Sequence, residues 1–443
     1  MYNGLRKYTV TLVAAGLYFF SQAACAVLFE PGIGVGLEYT DNATLSPDAT
    51  VEDLITVGYV GARLSENEGP FKYDASAAFN KQNYVRDTYE DQRYFNLGAR
   101  ADWEMIQERF NWFLSDRYSQ RPINTLDSNT PDNIQDSNVF NFGANIRFPV
   151  SARQSFSLTP IFSQYYYEVQ STDNKQYSLA ANWNYQMFRL TNVGLSLSTR
   201  KINYTETNLL GQSIDDTTFT TLGFTFNVQR MRSSFVGSLG STNVSRENGD
   251  ETTGFSGFLN WVADISSRSR FNALISTDLT DTSTALSASV EDPTIGNPND
   301  VQITSDVVRN SIASLAYLRE DGSLQSNITA NYQELTYSES PLDRINRGLR
   351  AQLNYPVTQS LYGGAYANYG YTSQFYSGRI DENYTIGGNL NYNFTRKLHG
   401  LFDVKYRTRE SNNDTFNYKE FSVFASLVYG FGNVQRPTRV GGY

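Results

Sequence analysis

Polar and apolar residues alternate along most of this chain with a period of two. In the stretch QYSLAANWNYQM (176–187), Tyr177, Leu179, Ala181, Trp183, Tyr185 and Met187 fall on one side, and Gln176, Ser178, Ala180, Asn182, Asn184 and Gln186 on the other. A three-residue turn, Phe188-Arg189-Leu190, joins it to a second alternating run that ends at Tyr204. Successive side chains of an extended strand point to opposite faces, so the pattern predicts a β-hairpin. In a soluble sheet the aromatic row would pack into a core. In a membrane barrel it would face lipid while the amides line a lumen.

The same alternation recurs from end to end. Candidate strands begin near Ile33, Leu54, Lys72, Gln92, Arg109, Ser137 and Ser155, then near Lys175, Asn192, Thr217, Ser233, Thr252 and Ser269. The series closes near Val307, Leu324, Arg344, Gln359, Glu382, Leu398 and Tyr418, which makes 20 segments. Each is about 10 to 14 residues long, the length a tilted strand needs to cross a bilayer.

Connection lengths separate the two readings. Short turns such as Glu68-Gly69-Pro70, Ile106-Gln107-Glu108, Arg230-Met231-Arg232, Glu320-Asp321-Gly322 and Thr395-Arg396-Lys397 alternate with longer polar connections. Asp41 to Glu52, Gln120 to Asp136, Thr205 to Asp216 and Thr280 to Ser305 belong to the longer set. Outer-membrane barrels segregate tight periplasmic turns from long extracellular loops in this way, whereas a sandwich or solenoid has no reason to. The expectation is a transmembrane antiparallel up-and-down β-barrel of about 18–20 strands. It would sit in the outer membrane of a Gram-negative cell with both termini periplasmic. The lipid of that membrane and the barrel-assembly machinery would be its partners.

The N-terminus fits export. Arg6 and Lys7 precede an apolar stretch from Tyr8 to Phe20, and Ala24-Cys25-Ala26 is an A-x-A cleavage pattern. Residues 1–26 are therefore expected to be a cleaved signal peptide and 27–443 a single barrel domain. Cleavage after Ala26 would remove Cys25, the chain's only cysteine, and with it any disulfide or thiolate metal site.

Composition excludes other classes. Of 443 residues, 31 are Tyr, 28 Phe, 32 Gly and one His, with 18% charged and a net charge of −9. The acidic balance argues against nucleic acid. A mean hydropathy of −0.45 says nothing against a barrel, because lumen residues cancel lipid-facing ones in any window average.

Side-chain parity yields a candidate lumen lining. It comprises Asn96, Arg100 and Asp102; Asn141, Asn145 and Arg147; Asn182, Asn184 and Gln186; Asn327, Asn331 and Gln333; and Arg344, Asn346, Arg350, Gln352 and Asn354. The last strands add Asn389, Asn391, Asn393, Asp403, Lys405 and Arg407. Amides donate and accept, which suits a hydroxyl-rich solute, and arginines suit carboxylate or sulfate groups. Tyr165-Tyr166-Tyr167, Trp183, Tyr185, Trp261 and Tyr429 are candidates for the interfacial aromatic girdles.

The N-terminal part, GLEYTDNATLSPDA with YVGARLSENEGPFKYDASAAFNKQNY and WEMIQERFNWFLSDRYSQ, resembles a β-barrel porin family found with exopolysaccharide biosynthesis and export genes. The resemblance is clearest over residues 30 to 205. It implies an outer-membrane pore of about 18 strands through which a biofilm or capsular polymer leaves the cell, fed by a periplasmic polysaccharide-export protein. The family supplies no catalytic residues.

Nothing in the chain marks an enzyme or a cofactor site. His399 stands alone at the start of a late strand, and no nucleophile–base set, phosphate loop or spaced metal-ligand cluster accompanies it. Asn412-Asn413-Asp414 reads as a flexible loop rather than a calcium site. Two readings stand beside polymer export. One is a general diffusion porin, which needs a long inward loop bearing opposed charges. Asp281 to Asp306, with Glu291, Asp292 and Asp300, is the candidate. The other is a structural or adhesive barrel with ligand-binding loops.

Overall fold

The computed structural model describes residues 27–437 apart from 49, 206–213, 248, 250 and 286–300; the expected signal peptide lies outside the described residues. The described chain forms one 20-stranded antiparallel sheet. Its first quarter comprises β1 (Leu28–Thr40), β2 (Asp53–Glu66), β3 (Phe71–Tyr84), β4 (Gln92–Ile106) and β5 (Phe110–Pro122). Then come β6 (Ile134–Ser151), β7 (Gln154–Tyr167), β8 (Asn174–Phe188), β9 (Thr191–Tyr204) and β10 (Thr217–Gln229). The second half begins with β11 (Ser233–Arg246), β12 (Thr252–Ser266), β13 (Ser269–Asp281), β14 (Val307–Asp321) and β15 (Leu324–Tyr337). It ends with β16 (Arg344–Pro356), β17 (Leu361–Gln374), β18 (Ile380–Asn393), β19 (Leu398–Ser411) and β20 (Tyr418–Gly430). Each strand pairs with the next, and β1 pairs with β20, from Gly32↔Gly430 to Thr40↔Ser422. The sheet is a closed up-and-down barrel with no free edge, the form in which strands survive in lipid.

Alternation decides which residues meet lipid. On β1, Ile33, Val35 and Leu37 are exposed outward, while Glu38 and Thr40 are fully buried inward. On β8, Tyr177, Leu179 and Met187 point out, and Asn174 and Gln176 are buried inside. All four tryptophans stand near the short-turn end of their strands: Trp103 and Trp112 are direct cross-strand partners, Trp183 lies beside Tyr185 at 6.2 Å, and Trp261 stacks on Phe235 at 5.8 Å. Indole rings prefer the membrane–water boundary, so they mark one interface. With its apolar exterior and closed ladder, the protein is an outer-membrane β-barrel. Tyr165 and Tyr167 depart from the girdle expectation. Both face inward and are buried against Val139 and Ile303, because their parity on β7 is that of the lumen.

Tight turns close one end. Gly322 adopts φ 61° in the β14–β15 turn, a conformation that a residue with a Cβ takes at a cost. Register shifts beside the short turns after β4, β6, β8 and β12 add local twist there. The ten longer connections gather at the other end, and the strand termini at Leu28 and Gly430 lie at the short-turn end.

Candidate functional site

The chain itself crosses the lumen at the long-loop end and lies along one side of it at the other. At the long-loop end, the β5–β6 connection is tied into a compact finger. Asn124 N–H donates to Asn133 Oδ1 at 2.8 Å, Asn133 Nδ2 donates back to the Asn124 carbonyl at 2.8 Å, and Asn124 Nδ2 holds Asp127 at 2.7 Å. These side chain–backbone bonds stiffen a segment that has no ladder of its own. The finger's tip reaches the far wall. Arg344 Nη2 on β16 donates to Thr125 Oγ1 at 3.1 Å, and Arg379 Nη2, just before β18, donates to the Leu126 carbonyl at 2.9 Å. β6 and β16 are ten strands apart in a ring of 20, so the finger spans the mouth.

The β13–β14 connection also folds inward through its described parts, 282–285 and 301–306. Arg200 on β9 pairs with Asp281 at 3.1 Å and donates to Thr280 at 2.9 Å. Gln176 and Asn174 on β8 donate to Asp281 and Ser283, both at 3.2 Å. Ile303 packs on Tyr165 and Tyr167, and Val301 and Ala285 on Val308, Leu335 and Tyr337. Gln302 joins the two loops: its Oε1 accepts the Thr125 N–H at 3.0 Å and its Nε2 donates to the Ile123 carbonyl at 2.7 Å.

At the short-turn end the chain turns in after Gly430 and runs up the lumen as a strap. Phe431 N–H donates to the Pro31 carbonyl at 3.0 Å, and Tyr59 Oη donates to the Phe431 carbonyl at 3.0 Å. Val434 is buried among Val57, Tyr59, Phe424 and Val428. The strap lies so close to β1 that a Cβ at Gly34 or Gly36 would meet Val434 at 3.0 or 2.9 Å; only glycine leaves room. Gln435 accepts from Asn80 and Asn96 at 3.4 and 3.3 Å. Arg436 Nε donates to Glu38 at 2.7 Å and Nη2 to Ser422 Oγ at 2.8 Å, while Nη1 pairs with Asp403. His399 faces this strap, its Nε2 at 3.1 Å from the Gly432 carbonyl.

The residues singled out by parity are spread around the inner face. Asn96 meets the strap; Arg100 holds Asp102 at 2.8 Å; Asn141 donates to Ser115 at 3.3 Å; Asn145 accepts from Thr159 at 3.1 Å. Arg147 and Asn145 share a concavity of about 320 Å³ with Lys72 and Asp102 near the short-turn end. Asn182, Asn184 and Gln186 follow one another along β8, and Gln186 donates to the Arg189 carbonyl at 3.3 Å. Asn327 accepts from Thr329 at 3.3 Å, Asn331 faces Gly348, Gln352 donates to Asn354 at 3.4 Å, and Asn391 donates to Asn389 at 3.1 Å. Arg350 lies opposite Thr329 and Asn368. These residues do not converge on one point. What converges is Thr125, Leu126 and Gln302 from the loops with Arg344 and Arg379 from the wall. Of these, sequence parity had marked only Arg344. The strap and the finger carry no periodic signal that could have revealed them.

Asn412-Asn413-Asp414 is a tied turn, in which Asn413 Oδ1 accepts from the Thr415 N–H and hydroxyl. No group of three or more metal-ligating side chains occurs among the described residues. The charges Glu291, Asp292 and Asp300, invoked for a porin constriction, lie outside them.

No family model and no curated protein matches this chain. Solved structures do. The siderophore receptor PirA from Pseudomonas aeruginosa aligns at 11% identity and TM-score 0.48, covering 93% of this chain and 81% of that one. The FrpB iron transporter from Neisseria meningitidis aligns at 9% and 0.48, covering 91% and 82%. PirA from Acinetobacter baumannii aligns at 9% and 0.49, covering 92% and 81%. At such identities the likeness is one of fold.

Two expectations are corrected here. The exopolysaccharide-associated family is not supported, since no family model matches and the similar barrels are described by siderophore and iron. The export-pore reading falls with it. A hydrated polymer passing the mouth would have to break the Gln302 and Arg344 contacts of the finger. The general diffusion porin meets the same obstacle. A constriction needs one inward loop beside an open path, whereas here two inward loops are bonded to each other and to the far wall.

Proposed function

We propose that the protein is a gated outer-membrane uptake barrel for a discrete polar ligand, with the long-loop end outside and both termini in the periplasm. Residues 1–26 serve as its cleaved export signal. The observation that carries this reading is the finger–wall contact. Gln302, Arg344 and Arg379 hold the Thr125–Asp127 tip across the mouth through polar bonds for which an entering ligand competes. Barrel diameter grows with strand number: barrels of about 16–18 strands leave an aqueous channel, and those of about 22 carry a plugged lumen. A 20-stranded wall encloses more space than a passive pore needs, and this chain folds two of its loops and its tail into it. Binding at the outer mouth lifts the finger; release of the strap at the other end completes the path. Amides along β8, β15 and β18 wet the route between them.

Single-channel recording in planar bilayers tests the reading. The native barrel is expected to conduct little, and Gln302→Ala combined with Arg436→Ala to raise steady conductance several-fold. A large ohmic conductance in the native barrel, unchanged in the double variant, overturns gating.

A further inference from the structure

Arg344 is the first residue of β16 and is 1% exposed. It faces the lumen opposite Leu335 on β15 and Gln374 on β17. Its Nη2 donates to Thr125 Oγ1. Its Nε and Nη1 have no partner among the described residues, and neither has Gln374 Nε2. No described carboxylate pairs with it, in contrast to Arg379, which has Asp381 at 2.7 Å, and Arg436, which has Glu38. A guanidinium does not lose its proton in a protein, so the charge stays and its burial without a counter-charge is strongly unfavourable.

We infer that Arg344 and Gln374 form a binding subsite for an oxyanionic group of the ligand: a carboxylate, sulfate or phosphate. Residues in direct register across two antiparallel strands stand side by side on one face, so the guanidinium edge and the amide reach the same group. An oxyanion with several oxygens accepts from both, in charge-assisted bonds. Gln374, Ser377, Arg379 and Phe416 border a concavity of about 440 Å³ beneath Leu126 and Asp127 of the finger. Arg344 is buried and does not line it, so the anion reaches the guanidinium past the Gln374 side chain. Asp127, the carboxylate nearest its rim, leans on Arg379 at 3.9 Å, and Asp381 is held by the same arginine, so neither neutralises Arg344. The anion takes the free N–H groups while Thr125 sits on the third nitrogen, which places the ligand's charge directly under the finger tip.

The inference rests on the uptake reading and names its ligand class. Calorimetric titration of the full-length barrel in detergent with inorganic phosphate, sulfate and acetate, at constant ionic strength, tests it. One saturable site per barrel is expected for at least one of these. Affinity falls tenfold or more in Arg344→Gln, less in Arg344→Lys, and several-fold in Gln374→Leu. Heat-modifiable gel mobility confirms that each barrel is folded, and Gln374→Leu serves if Arg344→Gln does not assemble. The subsite is overturned by absence of saturable binding for all three anions, by equal affinity in native and variant barrels, or by chloride competing as well as an oxyanion. The conductance test depends on Gln302 and Arg436 and this one on Arg344 and Gln374, so either result can fail while the other stands.

Discussion

Gln302 and Thr125 lie 177 positions apart, yet the Gln302 carboxamide accepts the Thr125 N–H at 3.0 Å and donates to the Ile123 carbonyl at 2.7 Å. One side chain therefore ties two inward connections together. Neither loop has a strand partner at this point, so the geometry of the mouth depends on side chains.

Removing that tie should loosen the finger and nothing else. Each hydrogen bond contributes about 1 kcal/mol net, so Gln302→Ala should favour opening of 123–133 by about 1–3 kcal/mol. Hydrogen exchange of those amides should accelerate by roughly tenfold or more, with exchange in β5 and β6 unchanged. Equal protection in variant and native protein would show that the finger is held by other contacts.

The strap should respond to Arg436. This side chain is almost fully buried between Glu38, Asp403 and Ser422. Breaking a buried pair from one side costs about 3–5 kcal/mol, because the carboxylate left behind stays desolvated. In Arg436→Ala the strap should leave the lumen, and a cysteine at Val434, buried in the native barrel, should then react with a soluble maleimide. A Val434→Cys thiol that labels equally fast with Arg436 present would contradict a docked strap.

Lipid-facing and lumen-facing positions should differ in tolerance. Ala181→Arg and Leu97→Arg place a cation against acyl chains and should cost about 2–4 kcal/mol near the midplane, with loss of heat-modifiable barrel. Asn182→Arg, one residue along but on the inner face, should assemble normally. Asn96→Arg should not be silent, because Asn96 meets Gln435 next to Arg436, and a second cation there repels the strap. Identical behaviour of Ala181→Arg and Asn182→Arg would reject the parity.

Orientation is open to a labelling test. With Cys25 in the segment expected to be cleaved, Asp48→Cys at the long-loop end should label in intact cells and Glu68→Cys at the short-turn end only after permeabilisation. The reverse pattern would invert the barrel and the direction of uptake.

The strands were readable because alternation is local: β4, β10 and β19 begin at Gln92, Thr217 and Leu398, where the pattern places them. β1 starts at Leu28 rather than near Ile33 and runs through Pro31 and Gly32. Pro31 is tolerated because β20 does not pair with β1 below Gly32, so no ladder bond there needs its missing N–H. Parity also put Arg344 and Asp403 on the inner face. Their partners, Thr125 and Arg436, were not legible, because contacts between a loop or tail and a distant wall leave no period in the sequence. Tyr165-Tyr166-Tyr167 misled for a related reason. A run of three aromatics looks like a girdle, but two of its members pack under Ile303, a residue over 130 positions later.

The strap has a bearing on how the barrel is completed. Only nine residue pairs join β1 to β20, against thirteen between β1 and β2, so the closing seam is the shorter zipper. Arg436 grips Glu38 on one side of that seam and Ser422 and Asp403 on the other, while Phe431 bonds to Pro31 beyond the last ladder rung. Residues that follow β20 thus rivet β1 to it. A nascent barrel whose tail has not yet docked would hold its first and last strands together weakly, and docking would convert a provisional closure into a durable one.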